Sequence, residues 1–175
     1  NQRGQPVVFP DYAWVDDFYD GLARAVSDGK TGYVRTNGDW VLRPTFPYAD
    51  RFEDGKAIVG DGEHVGFIQK NGKLLVPLQL DAALRFREDV AGIQKDGLCG
   101  FINSAGDLAI SMQFASVRSF HEGFAAVSWP TPDGTPRRMG YIDRRGHVAF
   151  SDDSGQVLGL GDFNDGLARI HSEKG

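Results

Sequence analysis

Phe18 returns as Phe52, Phe86 and Phe120, and the intervals 52−18, 86−52 and 120−86 are all 34 residues. A fixed period of this length means stacked supersecondary units, none of which buries its apolar face alone. No other feature of the chain narrows its fold as much.

Five residues after the Phe stands an Ala in every copy: Ala23, Ala57, Ala91, Ala125 and, in a partial fifth copy starting at Phe163, Ala168. Two further on comes Ala25, Val59, Ile93, Val127 or Ile170. Apolar residues at alternate positions are the mark of a strand with one buried face. An invariable Ala predicts that this face is tightly packed. The third residue after the Phe is Gly21, Gly55, Gly123 or Gly166, preceded by Asp20, Asp54, Glu122 or Asp165. In the third copy Asp89 takes the Gly site, and Asp tolerates positive φ.

A polar turn follows (Asp28-Gly29, Asp61-Gly62, Asp96-Gly97), then Gly-aromatic-branched: Gly32-Tyr33-Val34, Gly66-Phe67-Ile68, Gly100-Phe101-Ile102 and Gly140-Tyr141-Ile142. This composition favours a second strand, and its four aromatic residues are expected to face the core. A further Gly lies six residues on in each copy; Asn37-Gly38 and Asn71-Gly72 are strong hairpin signals. A third strand, Trp40-Val41-Leu42 or Leu74-Leu75-Val76, is closed by Pro44 or Pro77, which cannot donate to a ladder. Nothing in the unit has helical period.

These residues resemble the WG repeat, also called the KWG repeat: F-x-[DE]-G-[LF]-A-x-V, then W-G-[YF]-[IV], then G-x-x-[VI] and P. The resemblance covers nearly the whole chain. The Trp that names the family is replaced by Thr31, Val65, Cys99 and Met139. The resemblance implies a β-rich tandem repeat of bacterial origin, and it leaves cytoplasm and periplasm both open.

The expected fold is all-β. Three-stranded antiparallel units of about 34 residues stack as a curved, solenoid-like array, with a propeller-like closed array as the alternative. Residues 18–51, 52–85, 86–119 and 120–162 are the repeats of one array over 1–175. Residues 1–17 close a preceding repeat and 163–175 open a further one, as in a fragment of a longer protein; Pro10 aligns with Pro44, and Trp14 with Tyr48.

Composition closes off some functions. A net charge of −5 argues against a nucleic-acid footprint. No apolar run approaches the roughly 20 residues of a transmembrane helix. Cys99 is the sole cysteine, so no internal disulfide forms, and it reads as a small packing residue. The acids that recur before Gly read as turn chemistry. Asp16-Asp17 and Asp152-Asp153 lack the spacing of a calcium loop. His64, His121, His147 and His171 are scattered without a zinc pattern. No nucleophile elbow or phosphate loop is present. Neither catalysis nor a cofactor or metal is expected.

The period breaks once. Phe163 follows Phe120 by 43 residues, and six of the nine extra residues fall between Val127 and Gly140. The insertion, 128–139, holds Trp129, Pro130, Pro132, Pro136, Arg137 and Arg138, with Arg144 and Arg145 close by in sequence. Insertions in repeats map to loops on one face, often the binding face, and Trp and Arg are favoured anchors. Trp129, Arg137, Arg138, Arg144 and Arg145 are therefore the expected contact residues of a repeat scaffold for a protein or peptide partner. The alternative, carbohydrate or cell-envelope binding, calls for evenly spaced exposed aromatic residues, and the missing repeat Trp weakens it.

Overall fold

The computed structural model describes residues 12–131 and 138–172, and the chain divides into two compact units, 1–80 and 81–175. The first holds two sheets, Trp14–Val15 (β1), Leu22–Ser27 (β2), Lys30–Arg35 (β3) and Trp40–Phe46 (β4), then Tyr48–Ala49 (β5), Lys56–Gly60 (β6), Val65–Gln69 (β7) and Leu74–Leu80 (β8). The second holds Ala82–Ala83 (β9), Val90–Lys95 (β10), Leu98–Asn103 (β11) and Leu108–Phe114 (β12). Ser116–Val117 (β13), Phe124–Ser128 (β14), Met139–Asp143 (β15) and Val148–Asp152 (β16) make its next sheet, and Val157–Asn164 (β17) pairs with Leu167–Ser172 (β18). Strands neighbour in chain order, all antiparallel, and no sheet closes into a barrel. No helix occurs among the described residues.

The expected all-β array of small antiparallel sheets is what forms, with one addition. The residues just before Phe18, Phe52, Phe86 and Phe120 include a two-residue edge strand, so the first four sheets have four strands rather than three. The residue pair Trp14–Val15 is joined to Ala25 and Val26, as Tyr48–Ala49 is to Val59 and Gly60.

One local expectation changes. The third strand does not stop at its Pro: Pro44 lies inside β4 and Pro77 inside β8. Thr31 faces Phe46 while Tyr33 faces Leu42, so a bulge absorbs the Pro on the sheet's outer strand, where no ladder donor is needed. That bulge explains the Gly of the Gly-aromatic pair. A Cβ on Gly66 would stand 2.5 Å from the Val76 carbonyl oxygen, and one on Gly100 would stand 2.7 Å from that of Ile110.

The Asn-Gly pairs do close hairpins, as expected, β3 on β4 and β7 on β8. Arg35 C=O accepts the Gly38 N–H at 2.9 Å and only Gly38 is left-handed, which makes a three-residue loop with a type I turn. The two-residue turns with both residues left-handed are the acid–Gly pairs instead. Asp20 and Gly21 have φ of 54° and 81°, closed by reciprocal bonds between Tyr19 and Leu22. Glu88-Asp89, at 50° and 68°, make the same turn without Gly.

Side-chain packing follows the period. Tyr33, Phe67, Phe101 and Tyr141 are buried, as expected, and so are Ala23, Ala57, Ala91 and Ala125. Within each unit the aromatic of one copy meets the Phe anchor of the next edge-on. Tyr33 stands 4.6 Å from Phe52, Phe101 4.9 Å from Phe120 and Tyr141 4.9 Å from Phe163. The two tyrosines also donate their O–H to main-chain carbonyls of the adjoining segment, Asp50 at 2.6 Å and Gly161 at 2.8 Å. Burial pushes the Tyr33 phenol well above its usual range, so it stays a donor.

Candidate interaction site

The insertion leaves the sheet between β14 and β15. Ser128 pairs with Met139, and the Trp129 N–H then donates to the Arg138 C=O at 3.0 Å, which fastens the base of the loop. Trp129 is half-buried, packed on the core around Phe114 with the two rings 5.7 Å apart. The Arg138 guanidinium stands over the Trp129 ring, 4.3 Å from its centroid. Arg138 Nε lies 2.6 Å from Asp153 Oδ1, yet without the alignment of a hydrogen bond, so the contact is one of charge. The sequence marks Asp153 only as one of a pair of acids without calcium spacing, and no pattern links it to Arg138. It comes opposite Arg138 because Met139 faces Asp152, and the next pair outward is these two.

The expected residues do not gather in one place. Arg138 precedes β15 and Arg144 and Arg145 follow it, so a five-residue strand, roughly 16 Å at about 3.3 Å per residue, separates them. Arg137, Pro132 and Pro136 lie outside the described residues. Arg145 is exposed, and its N–H donates to Asp143 Oδ1 at 2.8 Å.

Arg144 belongs to a device that joins the repeats. Glu88 Oε2 accepts the Gly123 N–H of the next copy at 2.9 Å, and Arg144 Nε stands 3.3 Å from that oxygen. In the other unit Asp20 Oδ2 accepts the Gly55 N–H at 2.7 Å, and Lys70 Nζ stands 2.5 Å from Asp20 Oδ1. Lys70 and Arg144 are matching positions, each four residues after the Gly of the Gly-aromatic pair. The Lys70 hydrogen bond holds the Asp20 carboxyl below the usual carboxylate range. Partial burial works against it and the Gly55 N–H adds to it. The recurring acids therefore serve turns, as expected, and Asp20, Glu88 and Glu122 also tie their turn to the next within a unit.

The remaining candidates have local partners. Asp16 pairs with Arg24, whose guanidinium also donates to the Ala49 C=O at 3.2 Å. Asp152 accepts the Ser154 and Val157 N–H groups, and these bonds with the Ser154 hydroxyl lower its pKa. Cys99 is buried beside the Ala115 C=O, and desolvation pushes its thiol up, which keeps it protonated and unreactive. Among the described residues no three His, Cys, Asp or Glu side chains are grouped so as to hold a metal ion.

The WG containing repeat family matches the chain at residues 1–30, 32–62, 66–99 and 100–128, and the chain belongs to that family. It is a β-repeat scaffold. No curated protein matches it in sequence. Among solved structures, one described as KlHsv2 with loop 6CD replaced by a Gly-Ser linker is similar over 81% of this chain and 53% of its own length, at 9% identity and a TM-score of 0.48. The chain thus spans about half the length of that structure.

Proposed function

We propose that this scaffold is non-catalytic and binds a protein or peptide partner, with Trp129 and Arg138 as its anchor. The observation that carries this reading is the place of the pair. At regular positions the aromatic residues pack repeat on repeat and the acids cap turns, whereas the one large departure from the period presents a Trp fixed from below by Phe114 and stacked by a guanidinium. A rigid aromatic with a charged neighbour loses little entropy on binding, which is what an anchor requires. Arg137 lies on the same insertion and would add to the contact. Arg144 and Arg145 stand at the other end of the strand, where Arg144 has its own task.

A second reading, carbohydrate or cell-envelope binding, has one observation in its favour. Trp14 and Tyr48 occupy matching positions, 48−14 being 34, and both are about half exposed. Against it, the matching residues of the next two copies are Ala82 and Ser116.

Both readings are tested by one comparison. The protein, a Trp129→Ala/Arg138→Ala variant and an Arg145→Ala control are used for capture from cell extract and applied to a glycan array. Specific capture lost in the double variant and kept in Arg145→Ala supports the anchor. Capture unchanged in the double variant overturns it, and array binding lost on Trp14→Ala would favour the second reading.

A further inference from the structure

Position 24 of the first copy recurs as Ile58, Gly92 and Ala126. In the first copy Arg24 spans the gap between successive sheets, pairing with Asp16 on one side and donating to the Ala49 C=O on the other, beside the Trp14 ring. In the second copy Ile58 is buried. In the fourth, Ala126 is backed by Met139, which packs against the same cluster. The third copy has none of these fillers. Gly92 replaces Arg24, Ala82 replaces Trp14, Leu84 replaces Asp16 and Cys99 stands where the fourth copy has Met139.

The result is an open cleft of about 230 Å³ within the second unit, walled by Ala82, Leu84, Gly92 and Val117, with Cys99 among its deeper residues and half-buried Gln94 beside them. A Cβ on Gly92 would stand 3.0 Å from Leu84 Cδ1 and from Val117 Cγ2, so these two side chains close directly on the glycine and a larger residue there would have to push them aside. No charged side chain lines it. An apolar cavity of roughly 150 Å³ holds benzene, and the larger cleft here suits a second fused ring. Its charge-free lining selects against ions, and Gln94 supplies one amide for a single polar group.

We propose that this cleft is a binding site for an uncharged, two-ring aromatic molecule of indole size. It is independent of the Trp129 anchor, because it is made by the small residues of the third copy and not by the insertion.

Indole itself is the probe, titrated into the ¹⁵N-labelled protein. Saturable shifts confined to the amides of Ala83, Gly92, Gln94 and Val117 are expected, with a Kd on the order of 1 mM or tighter. Ala82→Trp, which places the Trp14 residue type over the exposed rim, should weaken binding at least tenfold. So should Cys99→Met, which fills the cleft as the fourth copy does. Ala82 is exposed, so its variant keeps the test readable even if Cys99→Met fails to fold. Shifts that do not saturate, that scatter over the surface, or that persist unchanged in Ala82→Trp overturn the assignment.

Discussion

Glu122 accepts two backbone N–H groups of the following copy, Asp165 on one carboxylate oxygen and Gly166 on the other, each at 2.8 Å. The acceptor sits in one left-handed turn and the donors in the next, so a residue that shapes its own hairpin also sets the spacing of the two. Asp20 with Gly55 and Glu88 with Gly123 make the same link 35 residues apart. A left-handed turn directs its N–H groups outward, where they would otherwise meet only water. A carboxylate from the preceding turn satisfies them with charge-assisted bonds.

Replacing Glu122 by Ala should therefore loosen the last sheet more than its surface position suggests. The expected loss is about 1 kcal/mol, below the roughly 1.5–3 kcal/mol of a bond to a charged group because the site is exposed. Hydrogen exchange should show the effect as faster exchange of the β17 and β18 amides, with β10 and β11 unchanged. Equal protection in variant and parent would mean that the carboxylate is not a link.

Acid should act on the first unit through Asp20. Its carboxyl lies below the usual range because of Lys70 and, after the opposing effect of partial burial, the Gly55 N–H. A depressed folded pKa contributes stability that is present above the unfolded value of about 3.9 and is lost as pH falls through the folded pKa. Little change attributable to Asp20 is thus expected from neutral pH to about 5, with loss below about 4. Lys70→Met removes the largest cause, so the Asp20 titration followed by NMR should move up toward the ordinary range. A midpoint that stays where it was would assign the shift elsewhere.

The Phe anchors should divide by position. Phe120 is buried against Phe101 at 4.9 Å, whereas Phe18 is 42% exposed. Phe120→Ala is expected to cost about 3–5 kcal/mol by lost burial and cavity formation, and Phe18→Ala no more than about 1 kcal/mol. Urea midpoints at constant slope measure both. Similar losses for the two would show that an exposed anchor is stabilised by something other than its packing.

The 34-residue period by itself determined the all-β class, the buried Ala and aromatic positions and the turn-forming role of the acids. Each of these is local: alternate apolar residues select a strand, and Asp-Gly selects a left-handed turn. Asn37-Gly38 marked its hairpin correctly, but the loop length was set by the register of β3 on β4 and not by the dipeptide alone. The two-residue edge strands were illegible because Trp14–Val15 or Ala82–Ala83 is too short to display a period. Tertiary structure alone decided the rest. It brought Asp153 to Arg138, Glu88 to Arg144 and Glu122 to Gly166, and it separated Arg144 from Arg138 by the length of β15. It also left a cleft where Gly92 replaces Arg24. Such relations depend on how one sheet stacks on the next, and that spacing is set by side chains a whole repeat apart, which periodicity aligns but does not place.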